Sequence, residues 1–192
     1  REHAQRYHRA EDQAQYAIGH GLLRIILGRY LDVAAERVEF GRGPHGKPYL
    51  AWPVAASLRF NMAHSRACAL YAVTRGRELG VDVEYVRPDF AYEEIVPQFF
   101  APAEIAALQM LPAEVRRHAF FICWTRKEAY IKARGMGLYL PLDQFAIPFI
   151  AGQPPKLTLT ADKAGEAARW SVRDLYPVSG YAAALVAESV PE

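Results

Sequence analysis

The residues predict an α/β (α+β) fold of two halves, each a helix packed on a mainly antiparallel sheet. Three observations carry this. Two long segments place apolar residues at helical spacing, each is followed by segments with the alternation of strands, and the strand segments are joined by short turns that suit antiparallel neighbours.

In chain order, "EDQAQYAIGHGLLRIILGRYL" sets Ala14, Ile18, Leu22, Ile25 and Ile26 along one helical stripe. "FGRGPHGKPYL" follows as a glycine-rich loop. "SLRFNMAHS", "CALYAVTR" and "ELGVDVEYV" read as a three-stranded meander. "APAEIAALQML" and "PAEVRRHAFFICWTRKEAYIKARG" have proline near their starts, and Gly135 ends the second helix. "DQFAIPF", "KLTLT", "ARWSVRDLY" and "GYAAALVAE" supply further strands. The turn before Glu78 divides the chain into 1–77 and 78–192. Arg1 is not a methionine and the first residues already read as helix, so a preceding piece is expected.

Composition narrows the function classes. A chain of 192 residues with 52% hydrophobic residues can bury a sizeable core. The net charge of +2 is too small to argue for a nucleic-acid binder, although His3, Arg6, His8 and Arg9 concentrate positive charge locally. Cys68 and Cys123 lack CxxC spacing and fit buried thiols in a reducing cytosol. No apolar run is long enough for a membrane span and no signal-peptide pattern occurs.

Gly41, Gly46 and Lys47 match part of a phosphate-binding P-loop, but Pro48 stands where a serine or threonine should hold magnesium, and no helix follows. That reading is rejected; a turn with an exposed lysine is the plainer alternative. "GVDVE" says more. On a strand, Asp82 and Glu84 face the same side about 6.5 to 7 Å apart, opposite Val81, Val83 and Tyr85. Either this face is solvated, or a cation sits between the carboxylates, for which Mg²⁺ suits the hard oxygens. In "FFICWTRKEAYIKARG", Trp124 centres an apolar stripe with Phe120, Phe121 and Ile131, and Glu128 lies only about 40° from that centre. An unpaired charge there costs several kcal/mol, so a cation is expected beside it. Glu128 and Lys132 at i and i+4 also fit an ordinary surface ion pair. His64 follows Phe60 and Met62 on one strand face, where a core histidine is the plain expectation.

The run "GKP", "FNMAHS", "GVDVE", "FFAPAE" and "WTRKEAYIKARGMGLYLPLDQF" resembles, in this order, the Sfp-type 4′-phosphopantetheinyl transferases, from about Arg6 to Glu188. The resemblance implies two similar halves related by a pseudo-twofold axis, with coenzyme A and Mg²⁺ in the cleft between them. It implies Asp82, Glu84 and Glu128 as metal ligands, and Glu128 and Lys132 as catalytic residues, Glu128 taking the proton of a carrier-protein serine. Lys47, His64 and Arg24 would contact coenzyme A, the histidine at its 3′-phosphate, while Glu104 and Trp124 would belong to the cleft. Ala63 departs from the serine that often precedes this histidine, and the basic residues at the start do not form a clear lysine pair. The implied reaction moves phosphopantetheine from coenzyme A to an apo acyl or peptidyl carrier protein of nonribosomal peptide or polyketide synthesis, releasing 3′,5′-ADP, in a cytoplasmic monomer with no nucleic-acid or membrane partner. Another Mg²⁺-dependent phosphotransferase and a noncatalytic coenzyme A binding protein are the alternatives.

Overall fold

The computed structural model describes residues 10–54, 57–150, 152–159 and 165–190. His3, Arg6, His8 and Arg9 lie outside them. A first helix, α1 (Ala10–Leu31), leads through a 3-10 turn into the hairpin β1 (Glu39–Arg42) and β2 (Pro48–Trp52). The second hairpin is β3 (Leu58–Ser65) with β4 (Cys68–Arg75). After β5 (Leu79–Tyr85) come the short α2 (Val96–Phe99), then α3 (Pro102–Met110) and the long α4 (Ala113–Arg134). β6 (Phe145–Ala146) pairs with β7 (Thr158–Leu159), and β8 (Trp170–Leu175) and β9 (Tyr181–Glu188) complete the chain. This is the expected mixture of helix and antiparallel sheet, with both long helices where the spacing puts them.

Helix ends follow local chemistry. Gly135 stops α4 in the left-handed conformation, φ 64°, which glycine adopts without a Cβ penalty. Pro102 opens α3, where its missing N–H costs nothing.

Two readings of the sequence are corrected. The apolar stripe of α1 faces outward: Ile18 is 62% exposed, Leu22 44% and Ile25 45%, while Leu23 and Leu27 are buried against Val38, Leu58 and Phe60. Gly19 explains the rotation. A Cβ there would stand 3.3 Å from Met62 Cε, and the Gly19 carbonyl accepts a hydrogen bond from Tyr71 Oη at 3.1 Å, so the helix leans on β3 and β4 along its glycine side. A count of apolar residues gives glycine no weight and finds the wrong face.

The meander also breaks after β4. β5 pairs with β9 in a three-stranded antiparallel sheet, order β5-β9-β8, and meets β3 without a backbone ladder. Side chains bridge that seam: Asn61 Oδ1 accepts from the Val81 N–H at 2.9 Å, and Ser65 Oγ accepts from the Tyr85 N–H at 3.1 Å. Buried amides need partners, and these two residues supply them at matching four-residue intervals.

Candidate active site

The centre of interest forms where β5 lies against α4. Gly80 permits the contact: a Cβ built on it would fall 2.1 Å from the Ala129 carbonyl oxygen and 2.3 Å from the Ala133 nitrogen. On β9, Ala182 and Ala184 stand opposite Glu84 and Asp82 and are too small to hold the helix away. Alternation along the strand then turns Asp82 to the same side as Gly80, toward Lys132. We expect Gly80→Ala to destabilise the protein by about 3 kcal/mol or more, because backbone rather than a movable side chain blocks the methyl. Urea unfolding beside the unmutated protein checks this.

Lys132 Nζ donates to Asp82 Oδ1 at 2.6 Å. Asp82 is almost wholly buried, and its other oxygen, Oδ2, has no hydrogen-bond partner. Burial raises the Asp82 carboxyl above its ordinary value even with Lys132 pulling the other way. Glu84 is raised by burial and then by the charge of Asp82, against a hydrogen bond from Ser65 Oγ at 2.9 Å. Glu128 is pushed up to about 7 by burial first and then by Asp82, with Lys132 opposing and Glu84 adding to the rise. Three carboxylates therefore feel one another, with one ammonium among them.

This settles the choice between the plain readings. The Asp82 and Glu84 side of β5 is covered by α4 rather than solvated, and the Lys132 ammonium reaches across to the strand instead of lying on a wet helix face. The cation demanded by Glu128 is, in the protein itself, Lys132. The carboxylate oxygens are the donor type a hard divalent cation takes, and one of them, the buried Asp82 Oδ2, lacks a partner. Among the described residues no closed cage of three ligand side chains is preformed.

The other expected site residues scatter. His64 is exposed near the end of β3, so the core reading fails for it. Lys47 Nζ donates to Glu78 Oε2 at 2.7 Å, Ala133 O at 2.8 Å and Leu79 O at 3.2 Å. In this arrangement the side chain caps the C-terminal end of α4, where a cation meets unpaired carbonyls and the negative end of the helix dipole. A cavity of about 540 Å³ opens beside this clasp, walled by Tyr49, Leu58, Phe60 and Arg134. Arg24 donates to the Val38 carbonyl and lies 5.0 Å from the Phe40 ring centre, fastening α1 to β1. Trp124 is half-buried against Phe99 and Phe120.

Glu104 requires a correction. It is 2% exposed and sits in the core rather than in an open cleft. Its carboxylate accepts from Lys127 Nζ at 2.6 Å and from the Ala101 and Ile147 amides, both at 2.9 Å. Lys127, fully buried, also donates to the Phe145 carbonyl at 2.7 Å and faces the Phe145 ring at 4.3 Å. The pair is saturated and locks α3, α4 and β6 together. Both cysteines are free, and Cys123 is fully buried with its thiol raised well above the ordinary value, chiefly by burial.

Lys127, Ser65 and Asn61 went unassigned in the sequence. Lys127 could have been found, since it precedes Glu128 by about 100° of helix and so points at a different environment. The seam residues carried no such signal.

The family model described as "4'-phosphopantetheinyl transferase superfamily" matches residues 78–186, and the one described as "4'-phosphopantetheinyl transferase, N-terminal" matches residues 1–75. The chain is 38% identical over 183 residues to 4'-phosphopantetheinyl transferase HetI of Nostoc sp., covering 95% of this chain and 74% of that protein. It is 29% identical over 147 residues to 4'-phosphopantetheinyl transferase Sfp of Bacillus subtilis, covering 77% and 63%. Among solved structures, Thermotoga maritima holo-[acyl-carrier-protein] synthase aligns with a TM-score of 0.48 at 20% identity over 59% of this chain and 64% of that one. On the extent of the superfamily match and the identity to the Nostoc protein, this chain belongs to the 4'-phosphopantetheinyl transferase superfamily.

Proposed function

We propose that this protein transfers the 4′-phosphopantetheine group from coenzyme A to a serine of an apo acyl or peptidyl carrier protein and releases 3′,5′-ADP. The observation that carries this is the acidic group Asp82, Glu84 and Glu128 around the Lys132 ammonium, on a chain of this superfamily. Residues 1–77 form the coenzyme side and 78–192 the catalytic side, a division supported by the two family matches meeting between residues 75 and 78.

Asp82, Glu84 and Glu128 would hold Mg²⁺, which when bound supplies positive charge to the pyrophosphate oxygens. Glu128 takes the serine proton, directly or through one water, since a carboxylate has lone pairs for a proton as well as for a cation. As the serine oxygen forms its bond to the β-phosphorus, the bond from that phosphorus to the bridging oxygen breaks, and the electron pair leaves with 3′,5′-ADP. Lys132, held at Asp82, stabilises charge developing on the phosphates. Exposed His64 serves the 3′-phosphate of coenzyme A.

Release of 3′,5′-ADP that requires an apo carrier protein and Mg²⁺ tests the reading. Release without a carrier would favour another phosphotransferase, and binding without release a noncatalytic protein. For the histidine, His64→Ala should weaken coenzyme A binding roughly 10- to 100-fold and leave dephospho-coenzyme A binding unchanged, as calorimetry would read it. Equal losses for both ligands would assign His64 to packing.

A further inference from the structure

The seam between β3 and β5 does more than satisfy buried amides. At one end Asn61 serves the backbone alone, through the Val81 N–H. At the other end Ser65 makes two bonds with different consequences. Its Oγ accepts the Tyr85 N–H at 3.1 Å, which fixes where the hydroxyl stands, and donates to Glu84 Oε2 at 2.9 Å, which fixes where the carboxylate stands. The hydroxyl proton has one destination once its oxygen is anchored by the Tyr85 amide. Glu84 thereby loses rotational freedom through one of its oxygens, Oε2, and its other oxygen is left for the acidic group.

Asp82 is short, buried and paired with Lys132, and Glu128 rides on a long helix. Glu84 sits near the end of β5, where the strand passes from buried to half-buried residues. Asp82 and Glu84 lie on one face of β5, and two like charges there disfavour a close approach. Something must hold it there.

We propose that Ser65 is a positioning residue: it orients Glu84 toward Asp82 so that the carboxylates present a preset donor set to the divalent cation. This rests on the reading of Glu84 as a metal ligand. Partners in the outer shell that orient ligands typically change metal affinity by about 10- to 100-fold. Loss of the Ser65 hydroxyl therefore acts first on metal affinity, and turnover recovers when the metal is supplied in excess.

The test is Mn²⁺ binding, followed by the electron paramagnetic resonance of free ion, for the unmutated protein, Ser65→Ala, Ser65→Thr, Ser65→Cys and Glu84→Gln, each with coenzyme A present. Urea unfolding is measured in parallel. The expected result is a Mn²⁺ affinity about 10-fold weaker in Ser65→Ala, restored in Ser65→Thr, and an increased Mg²⁺ requirement with nearly unchanged turnover at saturating Mg²⁺. Glu84→Gln should weaken Mn²⁺ at least as much. Lower stability of Ser65→Ala with unchanged Mn²⁺ affinity would overturn the proposal and leave Ser65 a purely structural bridge. Weakening by Ser65→Ala without weakening by Glu84→Gln would also overturn it, since the effect would not pass through Glu84. If Glu84→Gln and Ser65→Ala both bind as the unmutated protein does, Glu84 is no ligand and both readings fall. If Ser65→Ala does not fold, Ser65→Cys, which fits the space but donates weakly, takes its place: several-fold weaker Mn²⁺ binding supports the proposal, and unchanged binding overturns it.

Discussion

Glu128→Gln is expected to melt at a higher temperature than the unmutated protein at pH 8 while losing about 10³-fold or more in carrier-protein turnover. The two effects have one cause. Glu128 is held half-buried beside Asp82 and Glu84, which lifts it from its ordinary 4.5 to about 7. An acid whose folded value is raised is more comfortable protonated, so the folded state binds the extra proton. Stability is then fully present below about pH 4.5, falls as pH rises toward 7, and stays reduced above it. The interval corresponds to at most about 3 kcal/mol, and the partial exposure of Glu128 reduces this to about 1–2 kcal/mol. Glutamine carries no charge at any pH, so the variant's stability should decline less over this interval than that of the unmutated protein, the remaining slope coming from Asp82 and Glu84. Mg²⁺ with coenzyme A should raise the melting temperature of the unmutated protein and not that of the variant. Thermal melts from pH 4.5 to 8.5, with EDTA and with Mg²⁺, check all of this.

Lys127→Met should be the most damaging single change to the core, costing about 3–5 kcal/mol, because it strands the Glu104 carboxylate at 2% exposure without its cation. Two amides still donate to Glu104, which softens the loss without replacing an ammonium at 2.6 Å. The double variant Lys127→Met with Glu104→Gln should recover part of the stability, since the uncompensated charge is gone. A surface ion pair would show neither the large single effect nor the recovery. Chemical unfolding of the two single variants and the double variant makes the comparison.

The same helix illustrates what could and could not be read from the residues. α4 was legible end to end: proline before it, Gly135 after it, and Phe120, Phe121 and Ile131 on its buried side. The anomaly of Glu128 beside that apolar stripe led to the acidic centre, because a misplaced charge is a stronger signal than a well-placed one. Asp82 and Glu84 were legible as one side of a strand because the period of two is rigid. The face of α1 was not, because Gly19 sets it by permitting close approach, and close approach is a property of the partner surface as much as of the helix. The pairing of β5 with β9 joins residues a hundred positions apart, and neither strand carries a mark that names its neighbour. Glu104 and Lys47 were read as site residues through the resemblance, which matches positions without naming what each side chain pairs with. Their partners, Lys127 for one and the end of α4 for the other, are known only once the chain is folded.

If Asp82, Glu84 and Glu128 with Lys132 form the centre for phosphopantetheine transfer, a carrier protein's mass reports it. The most direct measurement is the intact mass of an apo carrier protein after incubation with coenzyme A, Mg²⁺ and either this protein or its Asp82→Asn variant, both confirmed as folded by circular dichroism. The carrier should gain one phosphopantetheine group with the unmutated protein, none without Mg²⁺, and almost none with Asp82→Asn although that variant is as stable as its parent. A carrier modified equally by both proteins, or by neither, would contradict this.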